Sequence, residues 1–113
     1  MAFPVNPSDV GFCHAYYPVD IPEAKEYRCC GFEGSGQVVE IGEGVPEEYL
    51  GKKVACLTME GNMNETFGMW AEYAKIHYKF VDILSSNISY EEASCFYANP
   101  LTIIAIVDEV KKA

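Results

Sequence analysis

The sequence contains no basic run. Its 8 lysines and arginines are scattered among 17 acidic residues, for a formal net charge of −9. Such a chain has no electrostatic footprint for nucleic acid or for an anionic membrane surface. Long apolar runs are also missing. The longest, Leu101 to Val107, is interrupted by Thr102 and is far too short to span a bilayer. Met1-Ala2-Phe3-Pro4 carries no basic leader, so the expected compartment is the cytoplasm, with the mitochondrion as the alternative. No internal repeat or low-complexity segment appears. His14 and His77 stand alone, without metal-ligand spacing. The cysteines number 5, an odd and irregularly spaced set that fits reduced thiols in a cytosol-like compartment. Cys29 and Cys30 are neighbours and cannot pair with one another in ordinary geometry. A pairing such as Cys13 with Cys29 stays open.

What is present is a globular composition. Of the 113 residues, 50% are apolar and 13% aromatic, enough for one modest core. Prolines 4, 7, 18 and 22 keep the first third irregular. Asn6-Pro7-Ser8-Asp9 reads as a turn into a short helix, Asp9 to His14. Gln37 to Ile41 reads as a strand, Pro46 to Gly51 as a helical turn ended by glycine, and Lys53 to Leu57 as a buried strand. Residues 58–67 are polar and loop-like. Trp70 to Ile76 and Lys79 to Ile83 read as two further strands around a turn. Ser89 and Glu92 form a capping box for a helix over 90–97, and Pro100 suits the first turn of a second helix running to the end. The expected fold class is α+β, mainly β with short helices: a β-rich body followed by two C-terminal helices.

Four segments occur in an informative order. They are Asn6-Pro7-Ser8-Asp9, then Gly31-Phe32-Glu33-Gly34-Ser35-Gly36 running into Gln37-Val38-Val39-Glu40-Ile41-Gly42, then Gly68-Met69-Trp70-Ala71-Glu72-Tyr73, and finally Asn99-Pro100-Leu101-Thr102. Together they resemble the medium-chain dehydrogenase/reductase superfamily, in its zinc-free quinone oxidoreductase and enoyl reductase branch. The resemblance implies a partial chaperonin-10-like β-barrel over residues 1–98, and over 99–113 the start of a linker helix to a nucleotide-binding domain.

It also implies roles for particular residues. Asn6 is similar to an asparagine on the nicotinamide side of quinone oxidoreductases; zinc alcohol dehydrogenases carry a thiolate metal ligand there. Phe32 stands where zinc enzymes place a histidine ligand. With both ligands replaced, and without a lobe of four closely spaced cysteines, no metal is expected. Glu33 matches the family and is expected to be structural; Cys30 replaces the usual proline before the glycine cluster. Tyr17 is spaced from Asp9 like an enoyl reductase tyrosine that donates a proton after hydride transfer, chemistry suited to a phenol of pKa near 10. Tyr16 is an alternative for that role, and a packing aromatic is the plainer reading of both. Trp70 and Tyr73 are expected to fill the core. Thr102 is similar to a threonine contacting the nicotinamide, or simply belongs to a helix start. Asn99 and Phe32 are expected along the substrate cleft.

The implied activity is reduction of a quinone or an α,β-unsaturated carbonyl by NADPH. These residues contain no Gly-x-Gly-x-x-Gly turn between a strand and a helix: Gly31-x-x-Gly34-x-Gly36 has another spacing and precedes a strand. Little or no cofactor binding or catalysis is therefore expected of this chain alone. Its final helix is apolar nearly all round, which calls for cover by another copy, another subunit or a rearranged fold. Association as a homo-oligomer or within a larger assembly is expected. Two alternatives remain open: a non-catalytic interaction subunit, and one half of an enzyme completed by a separately encoded nucleotide domain.

Overall fold

The computed structural model describes residues 1–14, 30–58 and 68–112. The elements run in the order α1 (Pro7–Cys13), β1 (Glu33–Gln37), β2 (Lys53–Leu57), β3 (Val81–Ile83), α2 (Tyr90–Ser94) and α3 (Ala98–Lys112), with single 3₁₀ turns at Glu47–Tyr49 and Tyr78–Phe80. The strands form one antiparallel sheet in the order β1-β2-β3. The α+β class with two C-terminal helices is as expected.

β2 falls where its apolar run places it. Gly34 pairs with Cys56 and Ser35 with Ala55 on one side, and Ala55 pairs with Asp82 on the other. Side chains alternate across a pleated strand. Val54 and Cys56 accordingly share a cluster with Met69, joined at its margin by Val38, Ala74, Ile76 and Val81. α2 packs on β1 and β2. Ser35 locks that contact by donating its hydroxyl to the Tyr90 carbonyl at 2.6 Å.

β1 differs from the expected strand over Gln37 to Ile41, because the glycine cluster itself is the strand. Residues 33–36 are buried, and Ala2 pairs with Ser35 along the edge of β1 not used by β2. A Cβ on Gly34 would lie 2.9 Å from Met69 Cε and 3.1 Å from the Ala2 carbonyl oxygen. Only glycine lets these neighbours approach so closely. The ladder continues just past Gln37, where Val38 and the Gly51–Lys52 backbone exchange bonds of 3.0 and 2.9 Å.

The expected strand over Trp70 to Ile76 is not formed. Met69 and Trp70 instead donate their backbone N–H groups to the Gly31 and Cys30 carbonyls, each at 2.9 Å, and the chain bends onward. Trp70 is half-buried and donates Nε1–H to the Pro4 carbonyl at 3.1 Å, whereas Tyr73 is 69% exposed and fills no core. The expected strand over Lys79 to Ile83 begins as a 3₁₀ turn and pairs only from Val81. The expected loop over 58–67 lies, after Thr58, outside the described residues.

The cysteines require a correction. Cys13 and Cys30 are disulfide-bonded, with Cα atoms 6.2 Å apart, a span that suits such a bridge. The bridge joins residues distant in sequence that meet only because α1 folds back onto the entry to β1. Cys56 is free and buried, Cys95 is free and exposed, and Cys29 lies outside the described residues.

At the C-terminal end, the capping box forms as expected. Ser89 Oγ accepts from the Glu92 N–H at 3.1 Å, and Glu92 Oε2 accepts from the Ser89 N–H at 2.9 Å. These bonds hold the Glu92 carboxyl below its ordinary range, the backbone N–H of Ser89 contributing most. α2 ends at Ser94, short of the expected 97. No residue of α3 is buried. Among the described residues, no helix is long and apolar enough to cross a membrane.

Candidate functional site

Three segments far apart in sequence meet around two buried carboxylates. The first segment is the start of α1, where Asn6 stands at the N-cap and Pro7 occupies the first helical position, which needs no N–H partner. Asp9 folds back to accept the Asn6 N–H on Oδ2 at 2.8 Å, and its Oδ1 accepts the Phe32 N–H at 2.8 Å. Asp9, only 1% exposed, thus fastens α1 to the glycine cluster. Phe32 is itself buried, with its ring edge-on to Phe12 at 5.3 Å.

The second carboxylate is Glu33, also 1% exposed. Its Oε1 accepts from Asn6 Nδ2 at 3.0 Å. Its Oε2 accepts the backbone N–H groups of Tyr97 at 3.0 Å and Ala98 at 2.9 Å. These N–H groups lie at the start of α3, where the first donors of a helix have no intrahelical partner and the helix dipole favours an anion. Asn99 closes the junction by donating Nδ2–H to Asn6 Oδ1 at 3.2 Å. Among the described residues the ion pairs are those of Lys112 with Asp108 and Glu109, so Asp9 and Glu33 are balanced by N–H dipoles.

Of the residues singled out in the sequence, Asn6 and Asn99 are in direct contact. Thr102 lies one turn further along α3 and donates its hydroxyl to the Ala98 carbonyl at 2.6 Å. Tyr17, and with it Tyr16, lies outside the described residues. Asp9 carries more of the junction than its sequence context suggested. An acid three residues after Asn6, at the N3 position of a short helix, was the available signal.

Tyr97 joins the junction to the sheet. Its hydroxyl donates to the Asp82 carboxylate on β3. Desolvation, then the Asp82 bond, push the phenol above its ordinary 10.0. Burial, and secondarily the Asp82 charge, push the Cys56 thiol up to about 12, which leaves it protonated and unreactive at neutral pH. Among the described residues no three His, Cys, Asp or Glu side chains converge as metal donors. The junction is centred on a half-buried asparagine, whose amide donates to Glu33 and accepts from Asn99.

A small antiparallel sheet backed by helices, with a polar junction at the start of α3, is the frame of the site. The chain belongs to the alcohol dehydrogenase GroES-like domain family, whose model matches residues 1–85. Two solved structures narrow the branch. A putative NADPH:quinone reductase from Mesorhizobium loti is 36% identical with a TM-score of 0.81, the match covering 97% of this chain and 30% of that one. A putative NADPH:quinone reductase from Bacillus thuringiensis is 34% identical with a TM-score of 0.72, covering 88% of this chain and 27% of that one. Within the medium-chain dehydrogenase/reductase superfamily, the chain falls in the quinone oxidoreductase-like branch. It spans under a third of the length of either structure's chain. No curated protein matches.

Proposed function

We propose that the chain is a partial catalytic domain of an NADPH-dependent, zinc-independent oxidoreductase that reduces a quinone or an α,β-unsaturated carbonyl. The observation that carries this reading is the junction of Asn6, Glu33 and Asn99, built from motif residues of a chain similar to two NADPH:quinone reductases. When bound, the nicotinamide would supply a hydride. Asn6 and Thr102 would line its side of the cleft, and Asn99 and Phe32 the substrate side. An amide such as Asn6 fits a carboxamide, since it can both donate and accept. Tyr17 would give its phenolic proton to the oxyanion or carbanion left on the substrate after hydride addition. The segment 99–113 serves in this reading as the start of the linker helix to a nucleotide-binding domain.

Grafting tests the reading. The chain replaces its counterpart in the Mesorhizobium loti protein, and NADPH-dependent quinone reduction by the chimaera is followed. Activity is expected, and Tyr17→Phe should lower turnover about 100-fold, the scale of a lost general acid. A folded chimaera that never turns over, or a Tyr17→Phe chimaera that runs at full rate, rejects the corresponding part. The chain by itself should show no saturable change in nicotinamide fluorescence up to about 1 mM NADPH, a concentration that reveals even weak binding.

A second reading rests on α3, where Ile103, Ile104, Ile106 and Val110 are each more than half exposed. On that reading the chain is a non-catalytic subunit that keeps the reductase-like fold for contacts. A pull-down separates that subunit from one half of a split enzyme, because only the split enzyme should retain a dinucleotide-binding partner. Both readings include association of the chain with another copy or a larger assembly.

A further inference from the structure

We propose that Glu33 is a positioning residue that fixes two things at once: which way the Asn6 amide points, and where α3 begins. This rests on the reductase reading only in giving Asn6 a ligand to face. A carboxylate accepts hydrogen bonds and donates none, whereas an amide offers a donor end and an acceptor end. Opposite Glu33 Oε1, Asn6 can therefore present only its NH₂ group, as the 3.0 Å bond shows. That choice turns Asn6 Oδ1 toward Asn99, whose NH₂ group donates to it at 3.2 Å. Without the carboxylate, the two ends of the amide, nearly equal in shape, could exchange places.

The other oxygen of the same carboxylate holds α3. Oε2 takes the N–H groups of Tyr97 and Ala98 together, at 3.0 and 2.9 Å. Glu33 sits on β1, whose ladder with β2 fixes its backbone. One rigid side chain thus sets Asn6, Asn99 and the first turn of α3 in a single frame. Asn6 retains one N–H not engaged by the described residues. Its direction toward any ligand follows from the sense that Glu33 imposes. A glutamine at this position could satisfy α3 through its oxygen, yet would oppose the Asn6 NH₂ group with another NH₂ group.

Nuclear magnetic resonance on the 113-residue chain tests this without any cofactor. In the wild type, one Asn6 side-chain amide proton should resonate at the position of a carboxylate-bonded N–H, and the Tyr97 and Ala98 amides should be protected from exchange. Glu33→Gln should move the Asn6 proton and accelerate exchange at Tyr97 and Ala98 by about tenfold or more, as loss of charge-assisted bonds implies. A cap of α3 alone would leave the Asn6 proton where it was. Asn6→Asp should accelerate the same amides by setting two carboxylates against each other. The double variant Asn6→Asp with Glu33→Gln reverses the pair: the introduced glutamine donates to the introduced aspartate, and protection should largely return.

Three results would overturn the proposal: unprotected Tyr97 and Ala98 amides in the wild type, an Asn6 proton unmoved by Glu33→Gln, or a double variant no better protected than the singles. If a single variant fails to fold, the wild-type spectrum decides. No nicotinamide enters the measurement, so failure of the reductase reading would show in the chimaera and not here.

Discussion

Gly31 is the residue on which the turn before β1 depends. Its φ of +98° lies where side chains are strained, and a Cβ there would fall 2.5 Å from Trp70 Cδ1 and 2.8 Å from the Trp70 backbone nitrogen. The backbone atom cannot step aside without breaking the bond from the Trp70 N–H to the Cys30 carbonyl. Gly31→Ala should therefore cost about 3 kcal/mol or more, adding left-handed strain to overpacking. Gly42→Ala, where nothing lies within 4 Å, should change stability by less than about 0.5 kcal/mol. Urea unfolding of both variants checks the contrast. Cys56 makes a second prediction at this scale. Its thiol is raised from 9.0 to about 12, so the folded state holds the proton that the unfolded state releases. The associated stability is complete below 9.0 and is lost as pH rises toward the folded value of about 12. Tyr97, raised above 10.0, acts in the same direction. Thermal melts should fall over this alkaline window, and Cys56→Ala should flatten part of the decline. An unchanged slope in that variant would mean that Cys56 does not cause it.

At the scale of elements, the Cys13–Cys30 bridge ties the end of α1 to the entry of β1 across a separation of 17 residues. Closing a loop of that length restricts the unfolded chain by about 3 kcal/mol in the chain-entropy view. Reduction, or Cys13→Ser, should lower the unfolding free energy by about that amount, read from denaturant midpoints with and without a thiol reductant. Equal midpoints would show that the bridge contributes nothing. The bridge was illegible in the sequence because pairing depends on where α1 lands, and Asp9 decides that through its bond to the Phe32 N–H. Local signals fared better. Lys53–Leu57 and the Ser89–Glu92 box are set by neighbours within a few residues and were legible in full, and the last helix, expected from Asn99-Pro100, begins at Ala98. Gln37 to Ile41 misled because alternation of apolar residues outweighed a glycine tract whose burial comes from Ala2 and Met69. Trp70 to Ile76 misled because its backbone bonds go to the Gly31 turn and not to a strand. Of the candidate site, Asn6 and Asn99 were legible as motif residues. Glu33's part in joining them was not, because it spans separations of 27 and 65 residues.

At the scale of the whole molecule, α3 presents apolar surface that nothing among the described residues covers. Its spacing shows which stripe matters. Ile104 lies above Asp108 and Lys111, so that face carries charge one turn on. Ile103, Ile106, Val107 and Val110 fall at helical spacing with no charge among them, and they are 61%, 58%, 44% and 71% exposed. Burying such side chains is worth about 1.5–3 kcal/mol each, before the cost of association is subtracted. Four of them on one stripe argue for self-association over a free monomer in the proposed reading. The chain should therefore sediment with a concentration-dependent mass above 12.6 kDa. Ile103→Lys combined with Val107→Lys should return it to the monomer, because each lysine would place a charge inside the contact. Ile104→Lys, on the charged face, should leave the mass distribution unchanged. Sedimentation velocity on the three proteins separates a specific stripe from general stickiness: if Ile104→Lys dissociates the assembly as fully as the double variant, the contact is not confined to the uncharged face, and if the wild type sediments as a monomer throughout, the exposed stripe does not drive self-association.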